Sequence, residues 1–201
     1  METSLSKSDE ILLHYGKFFF AFEGICDVMR STITFLIFTE FGDKESNQAN
    51  ILMEGLAADQ LRAKFLALIV NEFAADTEIY QLSKVISSCL EKIIPIRNSF
   101  AHGKSVIGKS GFLKESTDST LMLQHLKLKK KGLDDTYKKF EISHFETYIE
   151  CMTELRSALV NLIIRFASKA HESNFLKAHD ITIKKDREKL IEWEKNISQL
   201  N

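Results

Sequence analysis

Within the run Arg97-Asn98-Ser99-Phe100-Ala101-His102, three side chains carry chemistry. Arg97 offers a planar, permanently charged fork that suits phosphate oxygens. His102 brings an imidazole, a group suited to taking up or delivering a proton. Asn98 brings an amide that both accepts and donates, fit to orient a base or hold a phosphate oxygen. A fixed cation beside a proton carrier meets the needs of phosphoester cleavage, in which charge builds on the phosphate oxygens. RNA supplies its own nucleophile in the 2′-OH, so no metal-activated water is required for such a step.

Spacing constrains these residues. On a helix of 3.6 residues per turn, Asn98 and His102 are four apart and share a face, whereas Arg97 and His102 lie about 140° apart around the axis. One subunit is therefore expected to aim Arg97 and His102 poorly, and two helix ends meeting across a two-fold axis would supply both. The same residues also have a purely structural use. A histidine at a helix C-terminus interacts well with the helix dipole, and Arg97 can pair with Glu91. A second Arg/His pair, Arg165 and His171, has similar spacing, but Phe166 rather than Asn follows its arginine. His14, His125, His144 and His179 stand apart from any such pattern, His125 lying in a lysine-rich stretch where it would touch phosphate. Glu23 and Asp27 lie in an apolar segment and are expected to mark an exposed edge, with orientation of Arg97 as the other use.

The elements that position the motif follow from apolar periodicity. A first helix is expected from Leu5 to about Phe41, capped by Ser6 or Ser8, with Ile11, Phe18, Phe22, Ile25, Met29 and Ile33 inward. A short helix is expected over 49–56, then one from Gln60 to Ala75 capped by Asp59. Asp76-Thr77 breaks the pattern, and a third helix runs from Glu78 to His102. Pro95 is expected to kink or restart it, and Gly103 to stop it as a left-handed residue. Residues 103–142 change character, with alternation predicting a two-stranded hairpin at about 120–130 and 136–142 that turns at Gly132–Asp135. Ser143, with Glu146 three residues on, predicts a capped helix from His144 to about His171. A polar connector over 173–180 and an amphipathic helix from Ile181 to Leu200 complete the chain. The organisation expected is one helical domain over 1–175 and a C-terminal arm over 176–201.

Charge singles out the same region. The net charge is −1, but residues 92–139 hold eleven Lys/Arg against four acids, an excess of seven that leaves −8 for the remainder. Lys104, Lys109, Lys127, Lys129, Lys130 and Lys131 are the candidate RNA-binding residues, since clustered positive charge suits phosphate-rich partners. A solvated lysine-rich hairpin is the plainer alternative. Cys26, Cys89 and Cys151 are dispersed, form no zinc-ligand spacing, and read as reduced core thiols of a cytoplasmic protein. No metal or cofactor is expected. The polar N-terminus is unlike a signal peptide. The longest uncharged stretch of the first helix, Ser31 to Thr39, is nine residues against the roughly 20 apolar ones needed to cross a bilayer, so no membrane association is expected.

The motif Arg97-Asn98-x-x-Ala101-His102 resembles the Arg-x(4–6)-His motif of the HEPN superfamily, whose members often place Asn directly after the Arg. In that family the motif ends a bundle helix, and a variable, sometimes stranded insertion and a long antiparallel helix follow. Residues 11–170 fit that layout. The resemblance implies an all-α, antiparallel helical bundle with a small β-hairpin insertion, and a homodimer whose composite site cleaves single-stranded RNA without metal, with Arg97, Asn98 and His102 catalytic. It also implies roles such as a toxin or antiviral effector, with an antitoxin or defence partner protein. The alternative it offers is a non-catalytic RNA- or nucleotide-binding, or protein-interaction, module. The subgroup silenced by a nucleotidyltransferase usually carries Tyr two residues after the histidine, where this chain has Lys104.

Overall fold

The computed structural model describes residues 6–38, 51, 53, 55–73, 76–107, 120–129, 132–167 and 173–200, with backbone alone at 38, 72, 104–107, 125–129, 132–137, 166–167 and 173–179. In chain order the elements are α1 (Lys7–Phe38), α2 (Ala58–Phe73), α3 (Thr77–His102), β1 (Lys104–Ile107), β2 (Thr120–Lys129), β3 (Gly132–Glu141), α4 (Ile142–Ala167) and α5 (Ser173–Leu200).

The helices form a ring. α1 packs on α4, α4 on α5, α5 on α3, α3 on α2, and α2 returns to α1. Each turns a helical stripe inward, with Ile11, Phe18, Phe22, Ile25, Met29 and Ile33 of α1 meeting Leu155, Leu159 and Leu162 of α4 in one continuous core. No helix among the described residues is long and apolar enough to cross a membrane.

Local chemistry sets the helix ends. Ser6 starts α1, its hydroxyl accepting from the Asp9 amide at 3.2 Å. At α2 the cap differs from expectation. Asp59 lies inside the first turn, paired with Arg62 at 3.0 Å, and the Gln60 carboxamide reaches back to accept the Ala57 amide at 3.1 Å. Asp76 caps α3 by accepting the Ile79 amide at 3.2 Å. At α4 the expected Ser143 cap gives way to His144, whose Nδ1 accepts the Glu141 amide at 3.1 Å. β3 runs straight into this helix, which leaves Ser143 already within it.

Two features of α3 bear on the sequence reading. The helix does not restart at Pro95 but is assigned continuously through it. Proline deprives the carbonyl four residues earlier of its donor; Pro95 and Glu91 are both exposed, so water can serve that group. Gly103 is extended rather than left-handed (φ −79°, ψ 150°), because the chain passes directly into β1; its amide still closes the helix on the Ser99 carbonyl at 2.8 Å.

The strands form one antiparallel sheet in the order β1-β2-β3, so the expected hairpin carries a third strand. Leu128 stands opposite Leu133 and Lys129 opposite Gly132. The pairing draws 132–135 into β3, so Gly132–Asp135 is strand and not the expected turn. The connector expected over 173–180 is helical, because α5 starts at Ser173. Its Ile183, Leu190 and Ile197 are fully buried, and the expected boundary at 175/176 falls inside it. The helix expected over 49–56 lies largely outside the described residues.

Candidate functional site

The end of α3 is anchored from below by the motif's own Phe100, which is 1% exposed. Its ring stacks on Phe145 at 5.2 Å and meets Phe18 (5.0 Å), Phe140 (4.7 Å) and Tyr15 (5.6 Å) edge-on. Rigid aromatic packing on three sides fixes the azimuth of the last turn. Tyr15 adds a 2.9 Å hydrogen bond from its hydroxyl to the Phe100 carbonyl, serving one of the acceptors that a helix end leaves free.

On the outer side, Arg97, Asn98 and His102 line a single cleft of about 360 Å³, with Phe22, Glu23, Cys26 and Arg30 of α1 and Leu56–Asp59 at the start of α2. Arg97 and His102, expected to be poorly aimed within one subunit, thus line the same cleft. The 140° counts position around the axis, whereas the cleft wraps the helix end and Arg97 has a long side chain.

Arg97 is held from beneath and only loosely at its tip. Its guanidinium lies over the Phe22 ring at 5.5 Å and the Phe19 ring at 6.0 Å, a cation–π floor. Its polar contacts, to Glu23 and to the Asn98 carboxamide oxygen, are both 3.4 Å, at the outer limit for a hydrogen bond. Its Nε is buried without an acceptor. Such an arginine can exchange these partners for a ligand oxygen at little cost. The structural alternative, pairing with Glu91, is not realised, because Glu91 pairs with Arg62, which also bonds Asp59 and Ser87. Glu23 is therefore no mere exposed edge; Asp27, 72% exposed and paired with Arg30 at 2.8 Å, fits that description.

The His102 side chain is exposed and makes no hydrogen bond among the described residues. Asn98, also exposed, spends its carboxamide oxygen on Arg97. Burial pushes the Cys26 thiol in the cleft wall up to about 11; Glu23 adds to the shift while Arg30 and Arg97 oppose it. It is a neutral wall residue at physiological pH, not a nucleophile.

The other candidates scatter. Arg165 is structural, bonded to Asp76 at 3.4 Å and Asp180 at 3.2 Å, and His171 lies outside the described residues. His14 donates from Nδ1 to the Glu10 carbonyl, and His144 is a helix cap. Lys104 is in β1 opposite Gln124, while Lys127 and Lys129 are in β2 opposite Asp134 and Gly132. Their side chains, and Lys109, Lys130 and Lys131 altogether, lie outside what is described, as does the side chain of His125. Of the other basic residues in that window, Lys92 is tied to Glu194 at 2.9 Å and Lys139 to Glu141 at 3.0 Å. Lys138 is exposed with no ion pair among the described residues. No group of three or more His, Cys, Asp or Glu suited to a metal forms among the described residues.

Sequence reading missed Phe19 and Phe22 as the floor of Arg97, and Arg62 as the partner of Glu91. Nothing local signals either, since both join helices far apart in the chain. Comparison with family models, curated proteins and solved structures gives no match.

Proposed function

We propose that the chain is a metal-independent endoribonuclease of HEPN type acting on single-stranded RNA. The observation that supports this reading is the convergence of Arg97, Asn98 and His102 on one cleft at the end of α3. In the proposed step the 2′-oxygen attacks the adjacent phosphorus and the P–O5′ bond breaks. The products are a 2′,3′-cyclic phosphate and a 5′-hydroxyl. His102 takes the 2′-OH proton or protonates the departing 5′-oxygen, and Arg97 takes up the charge that builds on the phosphate.

A homodimer belongs to this proposal. Leu12, Leu13 and Phe20 expose 50%, 45% and 81% of their surfaces along α1, beside a groove that reaches Ile149 and Met152 of α4. A contiguous apolar strip of this kind favours association with a second copy. Action as a toxin or defence effector with an antitoxin or partner protein is proposed as what the resemblance implies, and a cytoplasmic location as what the dispersed cysteines suggest. The carboxylates Glu23 and Asp59 in the same cleft favour a second reading, a module that binds nucleotide or RNA without cutting it.

Incubation of wild type, Arg97→Ala and His102→Ala with labelled single-stranded RNA in EDTA tests the proposal. Cleavage by wild type alone, leaving 2′,3′-cyclic ends, supports it. Retention of intact RNA by folded wild type turns the balance to the binding module.

A further inference from the structure

The cleft at Arg97 is one of three depressions that share walls across the outer face of α3. The middle one, about 510 Å³, shares Asp59, Ile94, Asn98 and His102 with the cleft and adds Glu91, Pro95 and Ser99. The third, about 290 Å³, shares Glu91, Pro95 and Ser99 with the middle one and ends on Lys92, Lys138 and Phe140. Charge is ordered along this line. Arg30 and Arg97 stand at one end, Arg30 paired with Asp27 and Arg97 facing Glu23. The carboxylates Asp59 and Glu91, backed by Arg62, stand in the middle. Lys92 and Lys138 stand at the other end, Lys92 already bonded to Glu194 and Ser198.

We infer that these depressions form one track, within a single protomer, for a single-stranded nucleic acid several nucleotides long, with Lys138 as its far phosphate contact. From Glu91 to His102 the helix advances about 16 Å, against roughly 3.4 Å per nucleotide along one strand of a duplex. One nucleotide cannot span it. Cations at both ends suit backbone phosphates. Carboxylates in the middle would repel phosphate but accept from the exocyclic amino groups of bases. Lys138 lies on the same face of β3 as Phe140, whose ring packs on Phe100, so the sheet holds this lysine in fixed relation to the motif helix.

The inference rests on the nucleic-acid part of the proposed function and not on cleavage, so binding is measured with DNA, which lacks the 2′-OH. A fluorescein-labelled 2′-deoxy octanucleotide is bound by wild type and by Lys138→Ala at several salt concentrations, with unlabelled dinucleotide and octanucleotide as competitors. The track requires the octanucleotide to compete far better than the dinucleotide. It also requires Lys138→Ala to weaken octanucleotide binding and lower its salt slope by about one, leaving dinucleotide competition unchanged. Equal competition by both lengths, an unaffected salt slope, or no binding at all overturns the track, whatever the RNA assay shows. Length-dependent binding with no RNA cleavage keeps the track and removes the nuclease. Lys138 is exposed and without an ion pair among the described residues, so its removal leaves the fold intact, which circular dichroism checks.

Discussion

The Tyr15 hydroxyl on α1 sits 2.9 Å from the carbonyl of Phe100, three residues beyond Arg97 and two before His102. The first helix thereby holds the last turn of the third at the point where the side chains of interest diverge. Tyr15→Phe keeps the ring and deletes this bond. The expected loss is about 1 kcal/mol of stability, or a fall in Tm of roughly 2–4 °C. Calorimetry reads the shift, and an unchanged Tm would show that the bond contributes nothing net.

Phe100→Ala removes the centre of the aromatic cluster. Loss of a buried Phe costs about 3–5 kcal/mol, enough to threaten the fold, so Phe100→Leu is the informative companion. It is expected to fold with a lowered urea midpoint and to lose cleavage more than stability, because the helix end is then free to reorient. A Phe100→Leu variant that is destabilised but cleaves like wild type would separate the cluster from the site.

Arg97 tests fork against charge. Arg97→Lys retains the cation but not two coplanar donors, while Arg97→Ala retains neither. If the proposed chemistry holds, Arg97→Ala is expected to lose about 10²–10³ in rate, the scale of removing one preorganised charge-stabilising donor, with Arg97→Lys recovering only a small part. Single-turnover cleavage separates the two; a lysine variant as active as wild type would reduce the arginine to a simple point charge.

Glu23 holds Arg97 at 3.4 Å while a ligand phosphate would compete with it. Glu23→Gln leaves a neutral acceptor of the same shape. The expected outcome is tighter binding of a single-stranded oligonucleotide with a steeper dependence on salt, since one competing anion has gone. Weaker binding in the variant would instead mark Glu23 as a group that the ligand itself needs.

Beside Lys92 at the far end of the track, Glu194 of α5 is the titrating clasp. Burial alone would raise its carboxyl, but bonds from the Ser88 hydroxyl (2.6 Å) and the Lys92 ammonium (2.9 Å) outweigh that and hold it below the ordinary 4.5. A depressed folded value means stability present above the unfolded pKa and lost as pH falls through the folded one. Glu194→Gln is therefore expected to be less stable than wild type at neutral pH, by about 1 kcal/mol for a partly exposed pair. The two should converge in urea titrations below the carboxylate range. A constant difference across pH would place the effect in packing.

Much of the bundle was legible because its inward stripes are long and regular. α1, α3 and α4 each repeat apolar residues at helical spacing, and Ser6 and Asp76 sit where a cap or break must fall. The failures come from contacts that local pattern does not contain. The helix does not restart at Pro95, whose ring is exposed, as is Glu91, the residue whose carbonyl loses its donor. Gly103 is extended because β1 must pair with β2, whose residues come about twenty positions later. His144 replaces Ser143 as a cap because a strand ends immediately before the helix. At the site, Arg97, Asn98 and His102 were readable from type and spacing. Their shared cleft was not, since its far walls belong to α1 and the start of α2.

The ring of helices has a consequence for the order in which the molecule can be made. α3 is clasped by α5 through bonds such as Ser88 to Glu194, 106 residues apart. Synthesis proceeds from the N-terminus, and distant contacts form only after the intervening chain exists. A nascent chain that already carries Arg97 and His102 still lacks the helix that covers Cys89 on the inner side of α3, where its thiol meets the Leu190 carbonyl. The motif is thus translated before α5, the helix that backs α3. A ribosome stalled before α5 would display the motif residues without the helix that backs α3.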